Sequence, residues 1–418
     1  DRPEMLGFQI GGVGRKFTAL FAAVLNQGLY GLPLLVVNLV AAAALDAELS
    51  SYVSALSFGF LGAGIAQQWV SEPAAVQGTM RWSRGLGYGR SAFVAALVTL
   101  VGVAFLAYVL TSDVVIATFA VLVAVLLAQV HFYRRLCQRH DLMRVQIWSG
   151  IIAVSVASPI LLLSQIDGWD LDPSFYVLVY ALTLASQLAV MRVGLRPRMR
   201  ESRAHENRGQ SRRRNQYATG NWGLPMTANS VIVWLSGIGL VPLAQAVAPN
   251  GNVSAFSLAW ILCSPLFQLS SALGFLFVGR SVRGALSIRD SLKMVSMGLM
   301  AMIPLWFCGA VLALSLLQQG GDTALVQSML LLLLAAVAES FKSVYSSILL
   351  THASGRMILR ARFIGLSAGL ITLFATLPNL SVALAAAGFV FASSFTSLLI
   401  MRTGVRSKVP RSLDGHQE

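Results

Sequence analysis

All 31 Lys and Arg residues of this 418-residue chain fall in or beside every second gap between its hydrophobic segments, with Lys342 set deepest inside a segment. The intervening gaps hold only acidic or neutral residues, among them Asp46, Glu48, Asp113, Asp167, Asp170, Asp172 and Asp322. Cytoplasmic loops of membrane proteins retain Lys and Arg because carrying those charges across the bilayer is disfavoured, so the alternation sets both the number of crossings and their direction. The expected spans are 17–43, 51–70, 91–111, 114–133, 145–164, 174–194, 220–246, 252–279, 294–317, 324–351, 361–378 and 380–401, with both ends of the chain cytoplasmic.

Composition agrees with that count. Charged residues make up 11% of the chain and hydrophobic residues 56%, and the mean hydropathy is +0.70. A soluble chain carries about 25% charged residues. A hydrocarbon layer about 30 Å thick takes roughly 20 residues per helix, so about twelve spans would use most of the apolar sequence. The net charge of +14 follows from topology and from attraction to anionic lipid, and nucleic acid is not an expected partner. Cys137, Cys263 and Cys308 show no metal-ligand spacing and read as packing residues. No cofactor is expected. The polar start from Asp1 to Lys16 lacks an apolar leader, which makes the first span the expected insertion signal.

The one long polar insertion lies between spans six and seven. It divides the chain into a cytoplasmic tail (1–16), a first lobe of six spans (17–194), a basic linker (195–219), a second lobe of six spans (220–402) and a second tail (403–418). The halves repeat one another: Asn26, Ser51 and Ser54 match Asn229, Ser254 and Ser257 at a constant offset of 203 residues, and Tyr133, His140 and Arg144 match Tyr345, His352 and Arg356 at an offset of 212. With six spans each, the halves share one orientation about an axis along the membrane normal, an arrangement in which two lobes rock around a central site.

Charge within a span is costly and marks a cavity or a partner. Glu339 and Lys342, at i and i+3 in span ten, share a helix face and can neutralise each other. A structural ion pair and a cavity-facing pair that binds an anion or exchanges a proton are both consistent with this spacing. His131, Arg134 and Arg135 end span four, and the repeat sets Lys342 near the position matching His131. Ordinary anchoring accounts for such a run, whereas a basic vestibule built by both halves would suit a diphosphate or another acidic headgroup. Spans one and seven carry Asn26 with Gln27, and Asn229, followed by the bend-prone Gly31 and Pro33, and Gly237, Gly239 and Pro242, so both spans are candidate gates. Walker A, H-E-x-x-H and G-x-S-x-G patterns are missing, and the longest outward loop, Gln165 to Pro173, is short for a membrane glycosyltransferase or polymerase.

The segment from Asn26 to Val76 resembles the start of bacterial polysaccharide flippases. The matches are Asn26 and Gln27 early in span one, the acidic turn from Asp46 to Ser51, the aromatic stretch from Tyr52 to Phe60, and Ser71, Glu72 and Pro73. The start of the second half and the surroundings of Arg144 and Arg356 are similar to the same family. This resemblance implies the multidrug/oligosaccharidyl-lipid/polysaccharide exporter superfamily: an all-α polytopic membrane protein with two six-helix lobes around a V-shaped cavity that opens alternately to either side. It also implies a plasma-membrane carrier of polyprenyl-diphosphate-linked glycan, surrounded by membrane lipids, coupled to a proton or sodium gradient and working beside polysaccharide-assembly proteins. The expected cationic cavity residues are Lys342, Arg134, Arg135, Arg356 and His131, and the expected coupling or gating residues are Glu339, Asn26, Gln27, Pro33, Asn229, Pro242 and Glu72. Drug exporters of the superfamily tend to carry an acid in span one, and this chain has none there.

Overall fold

In hydrocarbon each backbone N–H and C=O has to be bonded within the protein, so long apolar segments fold as helices. The computed structural model describes residues 12–45, 48–67, 86–139, 142–163, 172–206, 219–247, 253–282, 287–317, 322–352 and 355–408. Among the described residues there are thirteen helices and no strand. They are α1 (Gly12–Leu45), α2 (Leu49–Ala66), α3 (Leu86–Thr111), α4 (Val114–Arg139), α5 (Met143–Leu163), α6 (Pro173–Glu206), α7 (Thr219–Leu235), α8 (Leu240–Val247), α9 (Val253–Val282), α10 (Ile288–Leu316), α11 (Thr323–His352), α12 (Gly355–Thr376) and α13 (Val382–Lys408). Ten of them are long and apolar enough to cross a membrane, and α7 with α8, which pass the same test together but are bent by 60°, bring the number to eleven when the pair is counted as one span. With α3, whose stretch Leu97–Thr111 is apolar but shorter, there are twelve segments in all.

The two halves pack alike. In the first, α2 lies on α4, α4 on α6, α6 on α5 and α5 on α1; in the second, α9 lies on α11, α11 on α13, α13 on α12 and α12 on α7. The halves meet where α1 crosses to α9 and α2 crosses to α7 and α8. Apolar side chains point outward, among them Val98 and Phe105 on α3, Leu305 and Phe307 on α10, and Phe363 and Phe374 on α12. Serines and amides are buried instead: Ser54, Ser57, Gln187, Ser340 and Ser397 are at most 2% exposed. This is the arrangement of helices whose surrounding solvent is lipid. α6 continues to Glu206, past the expected start of the linker at residue 195.

Three of the aspartates in the acidic gaps cap helices. The Asp113 carboxylate accepts from the backbone N–H of Val115 and Ile116 at 2.6 and 3.2 Å, that of Asp172 from Phe175 at 3.1 Å, and that of Asp322 from Ala324 and Leu325 at 2.9 and 3.1 Å. Each stands at the N-terminus of α4, α6 or α11, where four N–H groups lack helical partners and the helix dipole favours negative charge.

The two bend-prone spans differ. α1 runs without interruption through Pro33, which is buried and leaves the carbonyl of Leu29, four residues earlier, without its helical donor. Gly150 of α5 lies against that carbonyl: a Cβ added there would stand 2.4 Å from the Leu29 oxygen. Span seven instead breaks between α7 and α8. Trp234 O accepts from both Gly237 N and Gly239 N, and the Ser57 hydroxyl of α2 donates to Ile238 O at 3.1 Å, so freed carbonyls are satisfied across the interface between halves. Trp234 returns a bond from its indole N–H to Ser57 Oγ at 2.8 Å, and one turn earlier on α2 Ser54 donates to Gln245 Oε1 at 2.9 Å. Pro242, at the third position of α8, needs no helical donor there.

Gly150→Ala is expected to push α5 off α1 and lower stability by about 2 kcal/mol, the range of overpacked cores. Gly309→Ala on α10, where an added methyl meets nothing within 4 Å, is the matched control and should melt like the parent chain in detergent. Equal melting temperatures for the two variants would show that α5 does not need this close approach.

Candidate functional site

Two clusters of buried charge lie within the helices, one in each half. In the first, Gln27 and Tyr30 of α1 and His131 and Arg134 of α4 are each spaced i, i+3, which sets each pair on one helix face. Arg134 is only 6% exposed. Its Nη2 donates to Gln27 Oε1, and its guanidinium carbon lies 4.1 Å from the centre of the Tyr30 ring. A guanidinium over an aromatic face keeps part of the stabilisation lost with its water. Gln27 then donates from Nε2 to Gln268 Oε1 of α9, in the other half. Around this relay, Gln146 of α5 donates to Arg134 O at 2.8 Å, Gln187 of α6 donates to Tyr30 O at 3.4 Å, and the His131 ring lies 6.0 Å from that of Tyr30.

Gln27 and Gln268 also line a cavity of about 350 Å³ between α1, α9 and α10. Apart from these amides and Ser264, its wall is apolar, with Leu32, Leu35, Pro265, Leu269 and Met302. Arg134 stands behind Gln27, one hydrogen bond away from a cavity-lining side chain.

In the second half, Lys342 Nζ of α11 pairs with Glu339 Oε1 one turn earlier, and the same oxygen accepts from Ser394 Oγ of α13 at 2.8 Å. The Lys342 side chain is 7% exposed and that of Glu339 is 25% exposed. Arg362 of α12 adjoins this cluster, since Ser397, one turn after Ser394 on α13, donates to the carbonyl of the neighbouring Ala361 at 3.2 Å. One carboxylate and two cations thus share a neighbourhood that includes the buried Ser397.

The structure therefore sets Gln27, His131 and Arg134 together, and Glu339 with Lys342. Arg135 is half-buried on α4, and Arg356 is exposed at the start of α12. Asn229 lies half-buried on α7 with its Oδ1 enclosed and without a hydrogen-bond partner, and Pro242 is buried in α8. Glu72 and the Asn26 side chain lie outside the described residues. Tyr30, Gln268, Arg362 and Ser394 join these clusters without having been singled out in the sequence. Gln268 carried a signal, being an amide in the middle of an apolar segment, and Arg362 carried a weaker one as the innermost residue of a basic gap. Ser394, one of many serines, carried none.

Comparison with known proteins is informative only at the level of structure. No protein-family profile matches the chain, and no curated protein matches it. Among solved structures it is similar to the eukaryotic MATE transporter AtDTX14, with a TM-score of 0.66 at 15% identity over 97% of this chain and 99% of that one. It is also similar to a Vibrio cholerae MATE transporter, VcmN, with a TM-score of 0.51 at 12% identity over 95% of this chain and 97% of that one. The all-helical fold of this chain is that of MATE transporters.

Proposed function

We propose that this protein is a membrane transporter that moves a lipid-linked oligosaccharide, carried on a polyprenyl diphosphate, from the inner to the outer leaflet of a bacterial plasma membrane by alternating access. The observation that carries this reading is the pair of cations, Arg134 and Lys342, buried on corresponding helices, α4 and α11, in the two halves of a membrane-embedded helical fold. A cation in that setting costs several kcal/mol, and an anionic cargo that has to leave water gives such groups a use. Sugar hydroxyls and phosphate charge cannot cross hydrocarbon unaided. The apolar cavity with its two amides at the interface between halves suits a molecule with a hydrocarbon part and a polar part. In this reading the two lobes rock about their interface, both termini are cytoplasmic, and polysaccharide-assembly proteins work alongside.

A second reading, export of amphipathic drugs, is favoured by the same largely apolar cavity wall and by the likeness to MATE transporters. Glu339 is the coupling candidate in either case, facing a proton or sodium gradient.

Leaflet-resolved analysis of lipid-linked oligosaccharides in a deletion strain should show precursor accumulating on the cytoplasmic face. Arg134→Met and Lys342→Met should fail to restore export, each lowering it at least about tenfold if about 1.4 kcal/mol of cargo binding is lost. An unchanged leaflet distribution together with new drug sensitivity would replace the flippase with an exporter. Full export by a chain with Glu339→Leu and Lys342→Leu combined would reduce that ion pair to a structural element.

A further inference from the structure

The Glu339 cluster has an uneven charge balance. Lys342 pairs with the carboxylate, Arg362 adds a second positive charge to its neighbourhood, and no ion pair of Arg362 is formed among the described residues. The carboxylate is also used unevenly: a single oxygen, Oε1, takes both the ammonium and the Ser394 hydroxyl. Arg362 keeps a buried Nε–H with no hydrogen-bond partner. Guanidinium groups that are buried and incompletely bonded are costly, and their fork of donors fits the oxygens of carboxylate or phosphate. By helical rise, Arg362 lies about 10 Å from the start of α12 and Lys342 about 15 Å from the end of α11, so both stand well inside their helices.

We infer that Lys342 and Arg362 form a diphosphate-binding site, and that Glu339 occupies it as an internal anion which the diphosphate of the lipid-linked cargo displaces. This rests on the transport reading above and adds Arg362 to the cargo-binding groups. The geometry allows the exchange. Glu339 is the more exposed member of the pair, so an incoming anion reaches the carboxylate before the enclosed ammonium. A diphosphate carries more charge and more acceptor oxygens than a carboxylate, and it answers both cations at once. The competition has a definite sign, because a ligand that replaces an internal anion binds more tightly when that anion is removed. A purely structural ion pair has no such consequence.

The test is titration of inorganic pyrophosphate into the full chain in zwitterionic nanodiscs, followed calorimetrically, with melting curves for every variant. Glu339→Gln is expected to raise affinity about tenfold, and Ser394→Ala, which only loosens the carboxylate, about threefold. Lys342→Met and Arg362→Met should each lower it about tenfold, whereas Lys342→Arg should stay near the parent chain. If Glu339→Gln does not fold, Ser394→Ala decides the sign. Unchanged or weaker affinity in the folded acid and serine variants, or no pyrophosphate binding by the parent chain, overturns the proposal. Farnesyl diphosphate in parallel separates the sources of the anion. Tighter binding than pyrophosphate supports lipid-borne cargo, and equal binding keeps the anion site but removes the cargo assignment. Leaflet analysis remains independent: export that proceeds normally in a chain failing this test leaves the flippase reading intact while the anion site falls.

Discussion

A charge removed from water inside a membrane protein has to be given something else to bind, and the architecture of this chain is organised by how it meets that requirement. Arg134 receives the Gln27 amide and the face of Tyr30, and Gln27 in turn is held by Gln268 of the opposite half. Lys342 receives Glu339, which Ser394 braces. Helices α1, α4 and α9 are thereby tied by one relay and α11 to α13 by another. The same rule governs the backbone. The carbonyls freed at the α7–α8 break are taken up within the turn and by Ser57, whereas the carbonyl that Pro33 releases in α1 is closed off by the packing of Gly150 against it.

Packing in the two halves is closely parallel, while the chemistry within them is not. The contact of α1 with α9 has a counterpart in that of α2 with α7 and α8. The second of these interfaces is laced by Ser54, Ser57, Trp234 and Gln245, whereas the first holds the amide pair and a cavity of about 350 Å³. Serine and indole bonds to backbone fix a seam at little side-chain entropy cost. Two long amides beside an empty space leave theirs adjustable.

The twelve segments were legible because one-sided Lys and Arg report a cost of translocation that each span incurs separately, and no tertiary contact is needed to read it. The break in span seven was legible in Gly237, Gly239 and Pro242, but the same kind of signal at Pro33 led to no break, and the residue packed against its freed carbonyl, Gly150, is 117 residues away and is a glycine for a reason only packing reveals. Lys342 and Glu339 could be paired from their spacing alone. Arg362 and Ser394 could not, because α12 and α13 reach the cluster through the fold and their residue types are ordinary. The aspartates of the acidic gaps were legible only as topology markers; three of them cap helices, a role that depends on where each helix begins to within one residue.

The two clusters differ in what can disturb them. The Gln27–Gln268 link joins neutral amides across the halves, and a net amide hydrogen bond is worth about 1 kcal/mol, so a modest displacement of α9 from α1 breaks it first. Lys342 is held by a charge on its own helix, so displacement of one lobe against the other leaves that pair together. On the proposed transport reading, one half answers movement between the lobes and the other answers an anionic ligand, because cargo has to be sensed before the lobes move and let go after they have.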